Sequence, residues 1–242
     1  MGSQVTAALD LDLSVVIGTD QAFAFAEKVF LGHGLLVLDD VQWRADLEVI
    51  RTALVKKRRA FKDPFIEKEP KKPVRKQVRN LVEQASELFD QLYPSFKYTQ
   101  RRESFRPMIT GPEPLHFDTY GGNIIVTAYV NVSRVPRVYN IGATFPALVR
   151  KEPEAMAQMA AAAKARGDVD LSYVLREHVG TPLGVAAPRH RVELAPGAIW
   201  FFNAKTVSHE VVYGEGAVGI SWEVPSCGAA TQMQILAKGN EQ

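Results

Sequence analysis

A histidine and an aspartate close together, with a second histidine far along the chain, restrict the fold more than any other feature of the sequence. His116 and Asp118 are separated by one residue, and His209 follows much later. Side chains two residues apart on a β-strand point to the same face. An imidazole and a carboxylate that share a face, met by a second imidazole, can cover one face of an octahedral metal and leave the other open. The fold must therefore bring a late strand back beside His116.

The second part of the chain, from residue 98, has the pattern of short β-strands separated by Gly and Pro. The clearest buried strand is 124–132, preceded by Gly121-Gly122, and Pro196-Gly197 marks a turn before another apolar strand. Helices predicted at 155–165 and 171–178 interrupt these strands. The pattern predicts a mainly β fold with flanking helices. Its core is a double-stranded β-helix (a cupin-like jelly roll) with a helical insertion. The other predicted strands are 101–106, 113–120, 135–140, 189–194, 198–202, 207–212 and 217–224.

The first part of the chain is predicted to be richer in helix. Strands are expected at 11–16 and 35–38, and helices at 22–31, 43–60 and 80–92. We expect one domain over 1–242. It comprises a helix-rich part (1–97), the jelly-roll core (98–225) with its insertion at about 151–178, and a C-terminal tail (226–242).

A run of Lys and Arg between residues 56 and 79 is the one strong charge feature, although the net charge of the chain is only +2. Such a run is usually a solvated surface or a mobile loop. The alternative is a patch that attracts an anionic substrate or a phospholipid surface. The small net charge does not favour nucleic acid as a partner.

The expected location is the cytoplasm. The single cysteine, Cys227, fits a reducing compartment. The sequence has no pattern of a signal peptide and no apolar stretch long enough to span a bilayer. Peripheral contact with a membrane stays open, as does the oligomeric state.

The three remaining histidines fit a metal site less well. His33 lies between glycines, His178 lies on a predicted insertion helix, and His190 lies in a basic turn. We expect surface or structural roles for them. The ligand set of His116, Asp118 and His209 suits iron, zinc or manganese, and the residues alone do not select among these metals.

Several runs of the chain resemble the Kdo 3-hydroxylase family, whose members are Fe(II)/2-oxoglutarate dioxygenases that hydroxylate the Kdo sugar of lipopolysaccharide. The resemblance covers about residues 100–225. It is carried by the runs 116–120 (HFDTY), 129–132 (YVNV), 136–142 (PRVYNIG), 196–200 (PGAIW) and 207–209 (VSH).

The resemblance implies that His116, Asp118 and His209 bind Fe(II), and that 2-oxoglutarate and O₂ are cosubstrates. The far carboxylate of 2-oxoglutarate then needs a cation, best an arginine that offers two parallel hydrogen bonds. Many relatives carry this arginine on the strand after the distal histidine, two residues before a serine. This chain has Gly219 and Ser221 there, so the arginine is missing, while Ser221 is retained as an expected cosubstrate-binding residue.

Another strand must supply the missing arginine. Arg137, in the Pro-Arg-Val pattern, is the first candidate, and Arg106 is the second. The alternative for either is a surface salt bridge. Asn131 and Trp200 are predicted to line the cosubstrate pocket.

Three functional hypotheses follow. The first is a dioxygenase that oxidises an unactivated C–H bond of a small polar or anionic substrate, such as a Kdo-type sugar. The second places the same catalyst on a free amino acid or a related small molecule of specialised metabolism, with hydroxylation or oxidative cyclisation as the outcome. Arg134, Arg150 or the basic run would then hold a carboxylate. The third is a non-enzymatic, cupin-like binding protein, which the missing arginine favours.

Overall fold

The computed structural model of the chain describes residues 5–8, 13–17, 35–54, 71–94, 97–106, 113–116, 124–144, 153–154, 157–158, 161, 165, 190–204 and 207–224. Eleven strands and two helices lie in these ranges. The strands are β1 (Val5–Ala8), β2 (Leu13–Ile17), β3 (Leu35–Leu38), β4 (Gln100–Arg106), β5 (Glu113–His116), β6 (Ile124–Asn131), β7 (Arg137–Thr144), β8 (His190–Leu194), β9 (Ile199–Asn203), β10 (Val207–Tyr213) and β11 (Ala217–Val224). The helices are α1 (Leu47–Arg51) and α2 (Lys72–Leu92).

The strands form two sheets, and their order is that of a double-stranded β-helix. The larger sheet has the order β1-β2-β3-β9-β6-β11-β4, and the smaller has the order β5-β10-β7-β8. Neighbouring strands are antiparallel except for β2 and β3. The predicted jelly-roll core is therefore confirmed. The predicted helix-rich N-terminal part also contributes three strands, which extend the larger sheet beyond β9.

Helix α2 covers the outer face of the larger sheet. Its buried residues recur every three or four positions, from Val74 to Leu92, so one stripe faces the sheet. Phe89 stacks on Trp222 of β11, with ring centroids 4.5 Å apart. Because side chains alternate across a strand, the residues next to Trp222 in β11 point the other way, into the space between the two sheets.

Two predicted helix starts were wrong. Helix α2 begins at Lys72 rather than at residue 80, because Pro73 is tolerated in a first turn and Val74 and Val78 extend the apolar stripe. The cations at 71–79 are therefore an exposed helical surface, while 56–70 lie outside the described residues. Helix α1 begins after Asp46, not at residue 43, because the Asp46 carboxylate accepts hydrogen bonds from two backbone N–H groups of the first turn.

Most predicted strands were placed correctly. Strand β7 runs from Arg137 to Thr144, further along the chain than the predicted 135–140, and β1 was not predicted. Gly197 has φ of +83° in the predicted turn before β9. The predicted helix at 22–31 and the second insertion helix lie outside the described residues. Residues 153–154, 157–158, 161 and 165 are helical, at the place of the predicted insertion. Neither described helix combines the length and the apolar character needed to cross a bilayer.

Candidate metal and cosubstrate site

Strand pairing brings the two predicted metal-binding histidines side by side. His209 of β10 is the direct partner of His116 of β5 in an antiparallel pair. Residues directly opposite in such a pair have Cα atoms about 4.5–5.5 Å apart and side chains on the same face. The structure describes the backbone of His116, and Asp118 lies outside the described residues. Within the described ranges no group of three His, Cys, Asp or Glu residues stands ready to hold a metal, so the complete ligand set stays a prediction.

The ring of His209 is buried and oriented by its surroundings. Its exposed fraction is 3%, and Phe202 of the opposite sheet contacts it edge to face, with centroids 4.9 Å apart. Its Nδ1 lies 3.3 Å from the carbonyl oxygen of Val207. A carbonyl oxygen can only accept a hydrogen bond. The contact is therefore a hydrogen bond only in the tautomer in which Nδ1 carries the proton. That tautomer leaves a lone pair on Nε2, as a metal ligand requires.

Arg137, at the start of β7, is a fully buried cation. Its exposed fraction is 0%. Its Nε donates a hydrogen bond of 2.9 Å to the hydroxyl oxygen of Tyr139. Neither Nη1 nor Nη2 has a hydrogen-bond partner in the part of the chain that the structure describes. A buried charge is strongly disfavoured unless it is paired, so this guanidinium has the donor set of a site for an anion.

Gly214 gives the guanidinium its room. A Cβ atom placed on Gly214 would lie 2.4 Å from both Cζ and Nη1 of Arg137. The backbone of the β10–β11 turn therefore packs directly against the guanidinium, and any side chain at position 214 would displace it.

A chain of contacting aromatic rings runs between the sheets from His209 to Arg137. The ring of Tyr139 lies 4.1 Å from that of Trp200, which in turn lies 4.5 Å from that of Phe202. Trp200, predicted to line the pocket, is fully buried between the sheets. Its Nε1 has no hydrogen-bond partner among the residues described. It is thus a second buried donor in the same interior.

Gly219, the position at which the resemblance led us to expect an arginine, is closely surrounded by other residues. A Cβ atom on Gly219 would lie 2.8 Å from Oγ of Ser104 and 2.9 Å from Cε1 of Tyr129. Arg106, the second candidate for the clamp, holds its guanidinium 5.0 Å above the ring of Tyr129. Ser221 lies two residues further along β11, on the same inner face.

Asn131 takes part in a network that fixes the chain after β6. Its amide nitrogen donates to the carbonyl oxygens of Val135 and Leu194, each at 2.9 Å. Its side-chain oxygen accepts from the backbone N–H of Ser133 and from the Ser133 hydroxyl. These contacts give Asn131 a structural role, and its contact with a cosubstrate stays a prediction.

Arg134, proposed from sequence as an alternative carboxylate-binding residue, lies on the surface and pairs with Glu48. The hydrogen bond from Arg134, followed by that from Arg51, lowers the pKa of the Glu48 carboxyl. Arg150 lies outside the described residues.

Sequence reasoning missed Tyr139 and Gly214, which hold Arg137. Tyr139 shares the inner face with Arg137 because the two residues lie two positions apart on one strand, and this spacing was visible in the sequence. Gly214 could not have been assigned, since its contact with Arg137 depends on how the β10–β11 turn folds back.

Comparison with known proteins locates the fold. No protein-family model matches the chain, and no curated protein matches it in sequence. Solved structures of the Kdo hydroxylase KdoO, a non-haem Fe(II) α-ketoglutarate dependent dioxygenase, match with a TM-score of 0.65 in the complex with cobalt(II), at 15% identity. The complex with α-ketoglutarate and Fe(III) matches with the same TM-score at 14% identity. Each match covers 94% of this chain and 96% of that chain. The resemblance to the Kdo hydroxylase fold is therefore confirmed.

Proposed function

We propose that this chain is an Fe(II)/2-oxoglutarate-dependent dioxygenase that oxidises an unactivated C–H bond of a small polar or anionic molecule. The observation that carries the proposal is the buried Arg137, whose two terminal nitrogens have no partner among the described residues. It lies in the smaller sheet, in the strand next to that of His209. A carboxylate between them would pair with the guanidinium, and the rest of the same molecule could reach the metal.

His116, Asp118 and His209 would hold the iron. Two imidazoles and one carboxylate are a ligand set that suits Fe(II), and it would leave room on the metal for the cosubstrates. The Val207 carbonyl near Nδ1 of His209 supports this role, because an oriented imidazole binds a metal more tightly.

Arg137 would hold the far carboxylate of 2-oxoglutarate. His209 is paired with Ile141, which lies four residues from Arg137 on β7. The Cα atoms of Ile141 and Arg137 are therefore about 13 Å apart, and the Arg137 guanidinium lies beside Gly214. We propose that a short dicarboxylate bound to the metal at one end spans this separation, beside the Tyr139 and Trp200 rings. Two N–H groups of one guanidinium match a carboxylate in a bidentate pair.

Bound together, iron, 2-oxoglutarate and O₂ supply the oxidising power. The overall reaction gives succinate and CO₂ from 2-oxoglutarate and O₂ and converts R–H to R–OH. The protein contributes orientation and a dry site. Trp200, Phe202 and Tyr139 surround the interior with fully or nearly fully buried rings, which excludes water and strengthens the electrostatic contacts inside.

The substrate proposal is broader than the cofactor proposal. The fold likeness to KdoO makes a Kdo-type sugar the first compound to test, because that protein is a Kdo hydroxylase. A free amino acid is the second, and its product could be hydroxylated or cyclised, since a fold does not fix the substrate.

The test measures the binding of 2-oxoglutarate and its conversion to succinate by protein loaded with iron without oxygen. The variants are His209→Ala and Arg137→Met. The matched controls are His190→Ala and Arg191→Met on β8, where the Arg191 side chain is exposed and its Nε lies 2.7 Å from Glu193 Oε1. We expect slow succinate formation by the wild type and both controls, none by His209→Ala, and a strongly raised 2-oxoglutarate requirement in Arg137→Met.

Two results would contradict the proposal. A wild type that holds iron yet shows no 2-oxoglutarate–iron charge-transfer absorption would favour a non-enzymatic binding protein. Loss of iron binding in His190→Ala but not in His209→Ala would show that the metal site does not include His209.

A further inference from the structure

A row of three polar side chains crosses the inner face of the larger sheet at the level of His209. Thr127 of β6 is the direct partner of Ser221 in β11, and Ser221 is the direct partner of Arg102 in β4. Directly opposite residues share a face. Thr127 also pairs with Phe202 of β9, whose ring contacts His209. We call Thr127, Ser221 and Arg102 the polar row.

The inner orientation of the polar row follows from its neighbours. Trp222, next to Ser221, packs in the core cluster beneath α2. Arg101, next to Arg102, donates a hydrogen bond of 2.9 Å to the hydroxyl of Ser86 on α2. Alternation along each strand then directs Ser221 and Arg102 to the opposite face, toward the space between the sheets.

Burial falls steadily along the polar row. Thr127 is 2% exposed, Ser221 is half-buried, and Arg102 is exposed on β4, which ends the larger sheet. The row therefore leads from the level of the proposed metal to solvent at the edge of the sheet. A molecule that approaches His209 along this edge would meet a guanidinium first and two hydroxyl groups next.

Both ends of the polar row have unused hydrogen-bonding capacity. The hydroxyl of Thr127 is buried and has no partner within the described ranges, although buried hydroxyls are normally paired. Arg102 makes one side-chain hydrogen bond among the described residues, to Gln100 Oε1 at 3.3 Å, and no carboxylate neutralises it there. A charge so placed attracts anions toward the opening.

We infer that the polar row is the substrate subsite and that it takes a hydroxylated small molecule bearing an oxyanion. The carboxylate or phosphate would lie against Arg102, and a hydroxyl group would lie against Thr127 and Ser221. Ser221, which the resemblance assigned to the cosubstrate, is thereby assigned to the substrate instead. This inference rests on the proposed function, since it places the substrate beside the proposed metal. It assigns the specificity for an anion to Arg102, whereas Arg137 serves the cosubstrate.

The test measures the binding of three probes by calorimetry: gluconate, glucose 6-phosphate and neutral glucose. The full-length chain is used both as purified and after loading with iron and 2-oxoglutarate without oxygen. The variants are Arg102→Ala and Thr127→Val, and the matched control is Arg101→Ala, whose side chain faces α2 instead. Comparison of the two anionic probes separates a carboxylate preference from a phosphate preference.

We expect at least one anionic probe to bind the wild type and Arg101→Ala with the same affinity. Its affinity for Arg102→Ala should be lower by about tenfold or more, because hydrogen bonds to a charged group are lost. Thr127→Val should lose about two- to tenfold, as for one neutral hydrogen bond, without becoming less stable to heat. The affinity for neutral glucose should be the same in the wild type and in Arg102→Ala.

The inference fails if neither anionic probe binds the wild type more tightly than Arg102→Ala, or if Arg101→Ala loses as much as Arg102→Ala. The affinity for 2-oxoglutarate, measured in the same proteins, should not change in Arg102→Ala. If neither the wild type nor any variant binds 2-oxoglutarate, the proposed function is contradicted. Probe binding that depends on Arg102 would still establish the subsite in that case.

Discussion

Replacement of Arg137 by methionine should affect ligand binding and intrinsic stability very differently. Methionine keeps the unbranched shape of the arginine stem in a fully buried site and removes the charge. The terminal nitrogens Nη1 and Nη2, which have no partner in the described part of the protein, are lost together with the Nε bond to Tyr139. If Arg137 serves a ligand, most of the cost should fall on that ligand.

The expected loss of affinity is large. A hydrogen bond to a charged group contributes about 1.5–3 kcal/mol, so a bidentate contact contributes about 3–6 kcal/mol if its two bonds add. This corresponds to a loss of roughly 10²- to 10⁴-fold in affinity for 2-oxoglutarate, at about 1.4 kcal/mol per factor of ten.

The stability of the ligand-free protein should change little or rise. Removal of a buried charge that has no partner among the described residues relieves a desolvation cost of several kcal/mol. Against this, the hydroxyl of Tyr139 loses its partner, which costs about 1–3 kcal/mol for a buried group. The two effects offset each other, so the Tm without ligand should not fall appreciably.

Thermal unfolding with and without 2-oxoglutarate checks both effects. A ligand at a hundred times its Kd stabilises a protein by about 2.7 kcal/mol, which for a chain of this size raises Tm by about 5–11 °C. We expect this rise in the wild type and in Arg191→Met, and almost none in Arg137→Met at the same concentration.

One outcome would refute the reasoning directly. If Arg137 forms a buried ion pair within the protein, its removal should destabilise the fold by about 3–5 kcal/mol, or roughly 6–20 °C in Tm. A fall of that size, with the rise caused by 2-oxoglutarate preserved, would make Arg137 a structural residue and leave the clamp to another cation.

Three further predictions concern the surroundings of the site and the core. Gly214→Ala should weaken 2-oxoglutarate binding at least tenfold, because its Cβ would overlap the Arg137 guanidinium. Gly216→Ala, whose Cβ would instead meet Leu54, is the control, and equal losses in calorimetry would contradict the reasoning. Asn131→Ala should lower the free energy of unfolding by about 2–4 kcal/mol, since four hydrogen bonds of roughly 1 kcal/mol each are lost and some partners find water; unchanged urea denaturation would refute this. Burial raises the pKa of Tyr93, so its contribution to stability is complete below the unfolded value of about 10 and is lost as the pH rises above it. The stability of Tyr93→Phe should therefore decline less than that of the wild type between pH 9 and 11, roughly the range around that unfolded value.

The regular elements were predictable where a single pattern determined them. Strand β3 was predicted from four consecutive apolar residues, Leu35–Leu38, which are all buried. The start of α2 was not, because a proline among lysines resembles a loop in sequence, whereas the buried Val74 and Val78 determine the outcome. Burial of an apolar stripe thus outweighed the unfavourable placement of cations at a helix N-terminus.

The candidate site was predictable in its residue types but not in its contacts. The pairing of His209 with His116 was expected from the need to assemble a metal site. The choice of Arg137 came from resemblance, and its complete burial with two unpartnered nitrogens among the described residues could not be read from the sequence. The sequence alone does not show whether an arginine side chain points into the interior or toward solvent. For Arg137 this is determined by the register of β7 and by the turn at Gly214.

Two glycines give the site its asymmetry, and they act in opposite ways. At Gly219 the space that a side chain would need is taken by Ser104 and Tyr129, so an arginine cannot enter from β11 without moving both. At Gly214 the missing side chain is replaced by the guanidinium of Arg137 itself, which enters from the other sheet. If Arg137 is the clamp, as we propose, placing it on β7 instead of β11 involves both positions: Ser104 and Tyr129 fill the space at Gly219, and Gly214 leaves room for the guanidinium. Because packed interiors tolerate overlap poorly, a change at one position alone would not preserve both the fold and a place for an anion.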